Sequence, residues 1–434
     1  MPNVDPNSEL AQAEAAALDE IIAGRLVRSF YQRIVDLDSG ETVGWEALAR
    51  GPAGSILEFP DRMFGAARRE NRVAELDFVC QAAAIEGAID AGIDRNVDLF
   101  INVEPQSDLG DPPDFALRAG EAANERLRVT VEITERELTS RPAELIALVE
   151  RLRERPNWGV ALDDVGVEPG SVGLIPLIEP DVIKLDMSLI HRPMNRDRAR
   201  TVHAVLAEAE RTGTKVLAEG IENEEHLQTA RALGARLGQG WHFGRPGPLT
   251  AADAVLGDTR RHLRRSSHEK PEPDATPYEY LAGRLEPRRG SKPMLLQMSR
   301  ALEAEALTQG IESVLISTFQ DVSFFTPPTA QMYERLAAEL AFVGALAENL
   351  GQEPAPGVRG ASFEAGAKIR AEWDVVVLAP HFSAAFVSRE CEPRPGETHR
   401  MFDHIFTYDR DLVATVANQL VSLIAPKVLT GLES

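Results

Sequence analysis

Residues 182–220 read VIKLDMSLIHRPMNRDRARTVHAVLAEAERTGTKVLAEG and hold a complete strand–helix–strand unit. VIKLD (182–186) and KVLAEG (215–220) are short apolar runs, and DRARTVHAVLAEAERTG (197–213) between them has an amphipathic helical pattern. A strand, a crossover helix and a second strand make a parallel βαβ unit. The alternation extends outward through LVRSFYQRIV (26–35), TVGWEALA (42–49), VDLFINVE (97–104), RVTVEITE (128–135), WGVALDDV (158–165) and GQGWHFG (238–244), with helical patterns such as 62–92 between most of them. About eight strands in about 230 residues is the count and size of a (β/α)8 TIM-like barrel. DLDSGE (36–41) is too short for a crossover helix. The first two runs are therefore expected to form a hairpin, making one barrel strand antiparallel.

The chain has 434 residues, with 46 Lys+Arg against 68 Asp+Glu, a net charge of −22. Hydrophobic residues make up 44% and charged residues 26%, which excludes a disordered or fibrous chain and allows sizeable buried cores. No run reaches the roughly 18 apolar residues of a membrane span. The opening MPNVDPNSEL has neither the basic nor the apolar region of a secretory leader. A cytoplasmic protein without membrane insertion is expected. Cys80 and Cys391 lie far apart and read as free thiols of a reducing compartment. The acidic balance disfavours a nucleic-acid polymer as partner, but not a small anion neutralised locally.

The expected division is an N-terminal surface helix over 1–24, a barrel over 25–257, a linker over 258–292 rich in Pro, Arg and Ser, and a smaller α/β domain over 293–434. Arg260, Arg261, Arg264 and Arg265 in the linker read as a solvated basic run. In the last domain, strands are expected at 313–319, 322–326, 373–380 and 383–390, and helices at 293–309, 328–350 and 409–424. Its aromatic residues Phe324, Phe325, Trp373, Phe382 and Phe386 read as core.

In a parallel barrel, chemistry sits at the C-terminal strand ends. Those ends carry Glu46, Asn102, Glu132, Asp163, Asp164, Lys184, Glu219 and Gln239. So many carboxylates in one pocket would repel one another unless cations sat among them. An oxygen-rich donor set suits Mg²⁺ or Mn²⁺, and the nine histidines are too scattered to suggest zinc. The adjacent pair Asp163–Asp164 suggests two ions, an arrangement suited to displacement at a phosphodiester. Ca²⁺, a larger and looser-coordinating ion, is expected to inhibit. Lys184 supplies a point charge, and Arg50 is a candidate phosphate ligand. The residues alone reach a dinuclear phosphoester hydrolase and name no substrate.

GWEALAR (44–50), INVEP (101–105), VEITE (131–135), ALDDVG (161–166), IKLD (183–186), LAEGIE (217–222) and GQGWHFGRP (238–246) resemble, in order and spacing, the motifs of the EAL family of cyclic di-GMP phosphodiesterases. The resemblance spans about residues 20–250. It implies hydrolysis of cyclic di-GMP to linear pGpG by a homodimer, with Glu46, Asn102, Glu132, Asp163 and Asp164 as metal ligands. It assigns Lys184 and Glu219, with Glu46, to catalysis, and Gln32, Arg50, Glu222 and Gln239 to substrate. Glu135 would anchor the loop after the double aspartate. That loop, VGVEPGSVG (165–173), departs from the family: Val165 stands where the family carries an aromatic residue, and Glu168–Pro169 where it carries glycine and tyrosine. A catalytically weak cyclic di-GMP receptor or an interaction scaffold is the alternative reading. STFQ (317–320), Phe324–Phe325, EWDVVVLAP (372–380) and TYDRDLV (407–413) resemble the DICT sensory domain, which implies regulation by a ligand or protein partner not named by these residues.

Overall fold

The computed structural model describes residues 6–104, 112–155, 157–167, 170–250, 253, 272, 274–364, 366–392, 394–395 and 397–424. The basic run Arg260–Arg265 and the pair Glu168–Pro169 lie outside them. Eight strands close a barrel: β1 (Arg28–Asp36), β2 (Thr42–Arg50), β3 (Asp98–Asn102), β4 (Arg128–Thr134), β5 (Trp158–Val165), β6 (Val182–Leu185), β7 (Lys215–Ala218) and β8 (Leu237–Gln239). β1 runs antiparallel to both neighbours, β2 and β8, and every other pairing is parallel. The expected hairpin is therefore present.

Ile34, Phe100, Ala161, Val182, Leu217 and Leu237 pack together as an apolar plug. Two residues further along each parallel strand stand Asn102, Asp163, Lys184, Glu219 and Gln239. On antiparallel β1 the order reverses, and Gln32 precedes Ile34. Side chains two apart on a strand share a face, so one layer of the barrel interior is apolar and the next is polar.

The helix Pro6–Gly24 is less superficial than its composition suggests. Leu18 and Ile21 are buried with Leu57, Met63 and Leu76.

The second domain is a mixed sheet of β9 (Arg288–Ser291), β10 (Val314–Asp321), β11 (Phe342–Glu348), β12 (Arg359–Ser362), β13 (Glu372–Ala379), β14 (Phe382–Cys391) and β15 (Met401–Thr407), ordered β12-β11-β10-β13-β14-β15-β9. β9 and the helix Pro277–Ala282 fall within the segment read as linker, so the sheet begins before residue 293. The helix expected over 328–350 is a helix, Pro327–Glu339, followed by β11. A continuous apolar run such as FVGALA (342–347) cannot be assigned by period alone. Residues 322–324 form a 3₁₀ turn, not a strand.

Alternate residues of β10 face opposite cores. Val314 and Ile316 join the cluster shared with the barrel, while Leu315 joins the domain's own cluster. The domains are also tied by polar contacts: Asn418 Nδ2 donates to the Leu177 carbonyl at 2.8 Å, Arg359 Nη1 to that of Ser140 at 3.2 Å, and Arg211 pairs with Asp411. No helix among the described residues is long and apolar enough to cross a membrane. Cys80 and Cys391 are both free.

Candidate active site

Strand register assembles the polar layer. Gln32 lies opposite Glu46, and Asn102 opposite Glu132. Asn102 Nδ2 donates to Glu132 at 3.0 Å, and Gln239 donates to Gln32 at 3.1 Å and to Glu46. Lys184 occupies the centre and is fully buried. Its ammonium lies 2.6 Å from Glu132, 2.9 Å from Asp163, 2.8 Å from Glu219 and 3.7 Å from Glu46.

Asp163 and Asp164 reach the same site because β5 is irregular there. The β5–β6 register shifts between Leu162 and Val165, and Asp164 takes φ 59°, in the left-handed region. Regular strands send consecutive side chains to opposite faces, and a bulge re-aims one of them. Carboxylate oxygens of Asp163, Asp164 and Glu219 consequently lie within 4.8 Å of one another. Gly220, after Glu219, has φ +65°, and a Cβ there would come 2.5 Å from that of Met187. Glycine is required for this close turn.

Four carboxylates thus share one buried lysine, with Asp164 beside them, an excess of acidic groups. Burial, then Glu46, pushes Glu132 well above the carboxylate range despite Lys184. Burial and Asp163 raise Asp164 to about 6. Burial raises Glu219 to about 8, with Lys184 opposing. Burial alone would lower the Lys184 pKa, but Asp163, Glu132, Glu219 and Glu46 outweigh it and hold the ammonium charged. All-oxygen donors with surplus negative charge fit hard divalent cations.

Glu135 is buried and holds the following loop. Its carboxylate accepts from the amides of Gly166 and Val167, each at 3.1 Å, and from the Ser171 hydroxyl. Val165 is wholly buried. Arg50 lies at the rim with its guanidinium 5.6 Å from the Phe30 ring. Glu222 is exposed and apart from the carboxylate cluster. It meets His191 and His226, with ligand atoms of all three within 4.8 Å and the two rings stacked at 4.1 Å. Reading the histidines as scattered missed this pair, because 35 positions separate them in the chain.

Residues 15–246 match the EAL domain model. This chain belongs to the EAL family. Residues 279–391 match the DICT model, a sensory domain of diguanylate cyclases and two-component systems. Among relatives of this EAL protein, cyclic di-GMP phosphodiesterase NbdA of Pseudomonas aeruginosa is 32% identical over 236 residues, covering 52% of this chain and 30% of that protein. Cyclic di-GMP phosphodiesterase RocR of the same organism is 28% identical over 251 residues, covering 55% of this chain and 63% of that protein. The chain therefore spans less than two thirds of either relative. A solved calcium and cyclic di-GMP complex of Klebsiella pneumoniae BlrP1 is 29% identical, with TM-score 0.44, covering 52% of this chain and 56% of that one.

Proposed function

We propose that the barrel hydrolyses cyclic di-GMP to linear pGpG and that the DICT domain regulates it. The observation that carries this reading is the cluster of Glu46, Glu132, Asp163, Asp164 and Glu219 around Lys184 at the strand ends. Glu46, Asn102, Glu132, Asp163 and Asp164 would hold two Mg²⁺ or Mn²⁺ ions. When bound, such ions supply a more acidic water and positive charge for the phosphoryl oxygens. Glu219 would take the proton of the attacking water. Lys184, held beside Glu219 and Asp163, orients that carboxylate and offsets charge developing on the phosphorus oxygens. Water oxygen would bond to phosphorus as the bond to the ribose 3′ oxygen breaks, and the proton taken from water would pass to that oxygen, leaving a 5′-phosphate and a 3′-hydroxyl. Gln32, Arg50, Gln239 and Glu222 would contact the nucleotide, with Arg50 suited to a phosphate.

Purified protein incubated with cyclic di-GMP and Mg²⁺ or Mn²⁺ should release pGpG. Chelation should stop the release, and Ca²⁺ should inhibit because its longer, looser coordination misplaces the water. Binding of cyclic di-GMP without release would favour the receptor reading, which the altered loop supports. The homodimer implied by the resemblance is tested by sedimentation of the full chain.

The regulatory half rests on the loop held by Glu135. Gly170 and Gly173 of that loop pack against the carbonyls of Ile311 and Glu312, so close that a Cβ on Gly173 would overlap the Glu312 oxygen. The 3₁₀ turn Gly310–Glu312 follows directly on the helix Lys292–Gln309. Gly173→Ala should therefore push the domains apart at this point and change turnover several-fold, the size of a coupling of about 1–3 kcal/mol. Equal turnover in Gly173→Ala and wild type would sink the coupling.

A further inference from the structure

The DICT domain contains a cavity of about 500 Å³ between the helix Lys292–Gln309, the helix Pro327–Glu339 and one face of the sheet. Native cores leave few voids larger than a water molecule, whereas ligand sites run roughly 300–1,000 Å³. Phe319, Trp373 and Phe402 line its walls, Glu303 is part of its wall, and Lys292 and Arg300 also line it. Glu303 is only 7% exposed. Its carboxyl takes a hydrogen bond from the Tyr333 hydroxyl at 3.0 Å, and that hydroxyl also lies 2.6 Å from the Ser317 oxygen. Lys292 stacks its ammonium 4.6 Å from the Phe324 ring, and Arg400 lies 5.2 Å from the same ring. The cavity is thus aromatic, with one buried carboxyl and cationic groups among its lining and neighbours.

We propose that this cavity binds a planar, fused-ring heteroaromatic compound whose ring N–H meets Glu303 and whose anionic group meets Lys292 and Arg300. Ring faces and edges of Phe319, Trp373 and Phe402 would contact the flat system. A carboxyl has more acceptor sites than the one Tyr333 hydroxyl fills, and a ring N–H would supply a second donor. Cyclic di-GMP itself is a poor fit, because its two phosphodiesters would press on apolar walls. Glu303 and Lys292 sit on the helix that leads to residues 310–312, so occupancy is placed to act on the barrel loop.

The proposal deepens the regulatory half of the function above and rests on it only for the effect on the barrel. Binding is therefore measured on the full chain without cyclic di-GMP. The probes are indole-3-acetate and pterin-6-carboxylate, titrated by calorimetry, with indole and pterin as carboxylate-free parents. At least one acid should bind with a dissociation constant below about 100 µM. Glu303→Leu should weaken it at least about tenfold, while Glu303→Gln, which keeps an acceptor, should retain most of the affinity. Lys292→Ala should weaken the acid and leave its parent unchanged. Met332→Trp, which fills the cavity, should abolish binding. Should that variant fail to fold, the Glu303→Leu and Glu303→Gln pair decides alone. No binding of either acid at millimolar concentration, or equal binding in wild type and Glu303→Leu, overturns the proposal. Binding that leaves hydrolysis unchanged keeps the site and removes its link to the barrel.

Discussion

At the barrel mouth, Glu132 lies 2.6 Å from Lys184, an ammonium it shares with Asp163 and Glu219. In the DICT domain, Glu303 has a tyrosine hydroxyl at 3.0 Å and aromatic walls. Both carboxyls are buried. The first belongs to a cluster with more carboxylates than its lysine can balance, so it suits added cations. The second stands apart from other carboxyls and has one neutral donor, so it can be stable as the uncharged acid. Burying several carboxylates together creates affinity for a metal, while burying one alone creates a hydrogen-bonding group for a mostly apolar ligand.

The largest test of this contrast is Lys184→Met. It leaves Glu132, Asp163 and Glu219 without their cation, and breaking a buried pair costs about 3–5 kcal/mol. Unfolding in chelator should show that loss, and saturating Mn²⁺ should restore part of it. A variant as stable as wild type in chelator would mean that the carboxylates are neutral without Lys184, and the contrast would fail.

Glu46→Ala sharpens the same point on the other axis. It removes one ligand and one negative charge but leaves the apolar plug untouched. Release of pGpG should fall below detection while the melting temperature of the chelated protein stays the same or rises. Wild-type turnover at saturating metal would take Glu46 out of the site.

A smaller effect is expected at Val165. The EAL family carries an aromatic residue at this position. Val165 is wholly buried, and its neighbours Gly166 and Val167 are already held by Glu135. Val165→Phe overpacks this core and should cost about 1–3 kcal/mol with no gain in turnover. A stabilised, faster variant would show that the loop, not the DICT domain, sets activity.

The barrel and its polar layer were legible because strand period does both jobs. Phe100 and Asn102, or Val182 and Lys184, announce a buried layer and a functional one in three residues of sequence. The helix-to-sheet boundary in the DICT domain was not legible. β11 is apolar and buried on both faces up to its final Glu348, β12 is RGAS, and β9 is RRGS. Short edge strands carry little pattern, and they form because β11 and β15 offer unpaired edges. The packing of Gly173 on Glu312 was equally hidden, since it joins segments about 140 positions apart and a glycine has no side chain to advertise a partner. The Asp164 bulge was half visible, as a doubled aspartate with no backbone angle attached.

The smallest predicted effect concerns Glu303 and pH. Burial, partly opposed by Tyr333 and Arg300, raises its pKa to about 7 from an ordinary 4.5. An acid raised on folding holds its proton in the native state while the unfolded chain has lost it. The stability this gives is therefore fully present below about pH 4.5 and is lost as pH rises through about 7. The loss should be about 1–2 kcal/mol, less than the full shift implies, because a cavity-lining carboxyl can be hydrated when it ionises. Denaturant unfolding of the full chain should show this slope in wild type and lose it in Glu303→Gln. The barrel cluster titrates over an overlapping range, so the comparison is made on the difference between the two proteins, with the cluster common to both. The same slope in both would mean that Glu303 is ionised at neutral pH, and the contrast between the two buried carboxyls would then collapse to one of degree. Adding a ligand that pairs with the protonated acid should move the midpoint upward. A ligand that brings a cation to it should move the midpoint down.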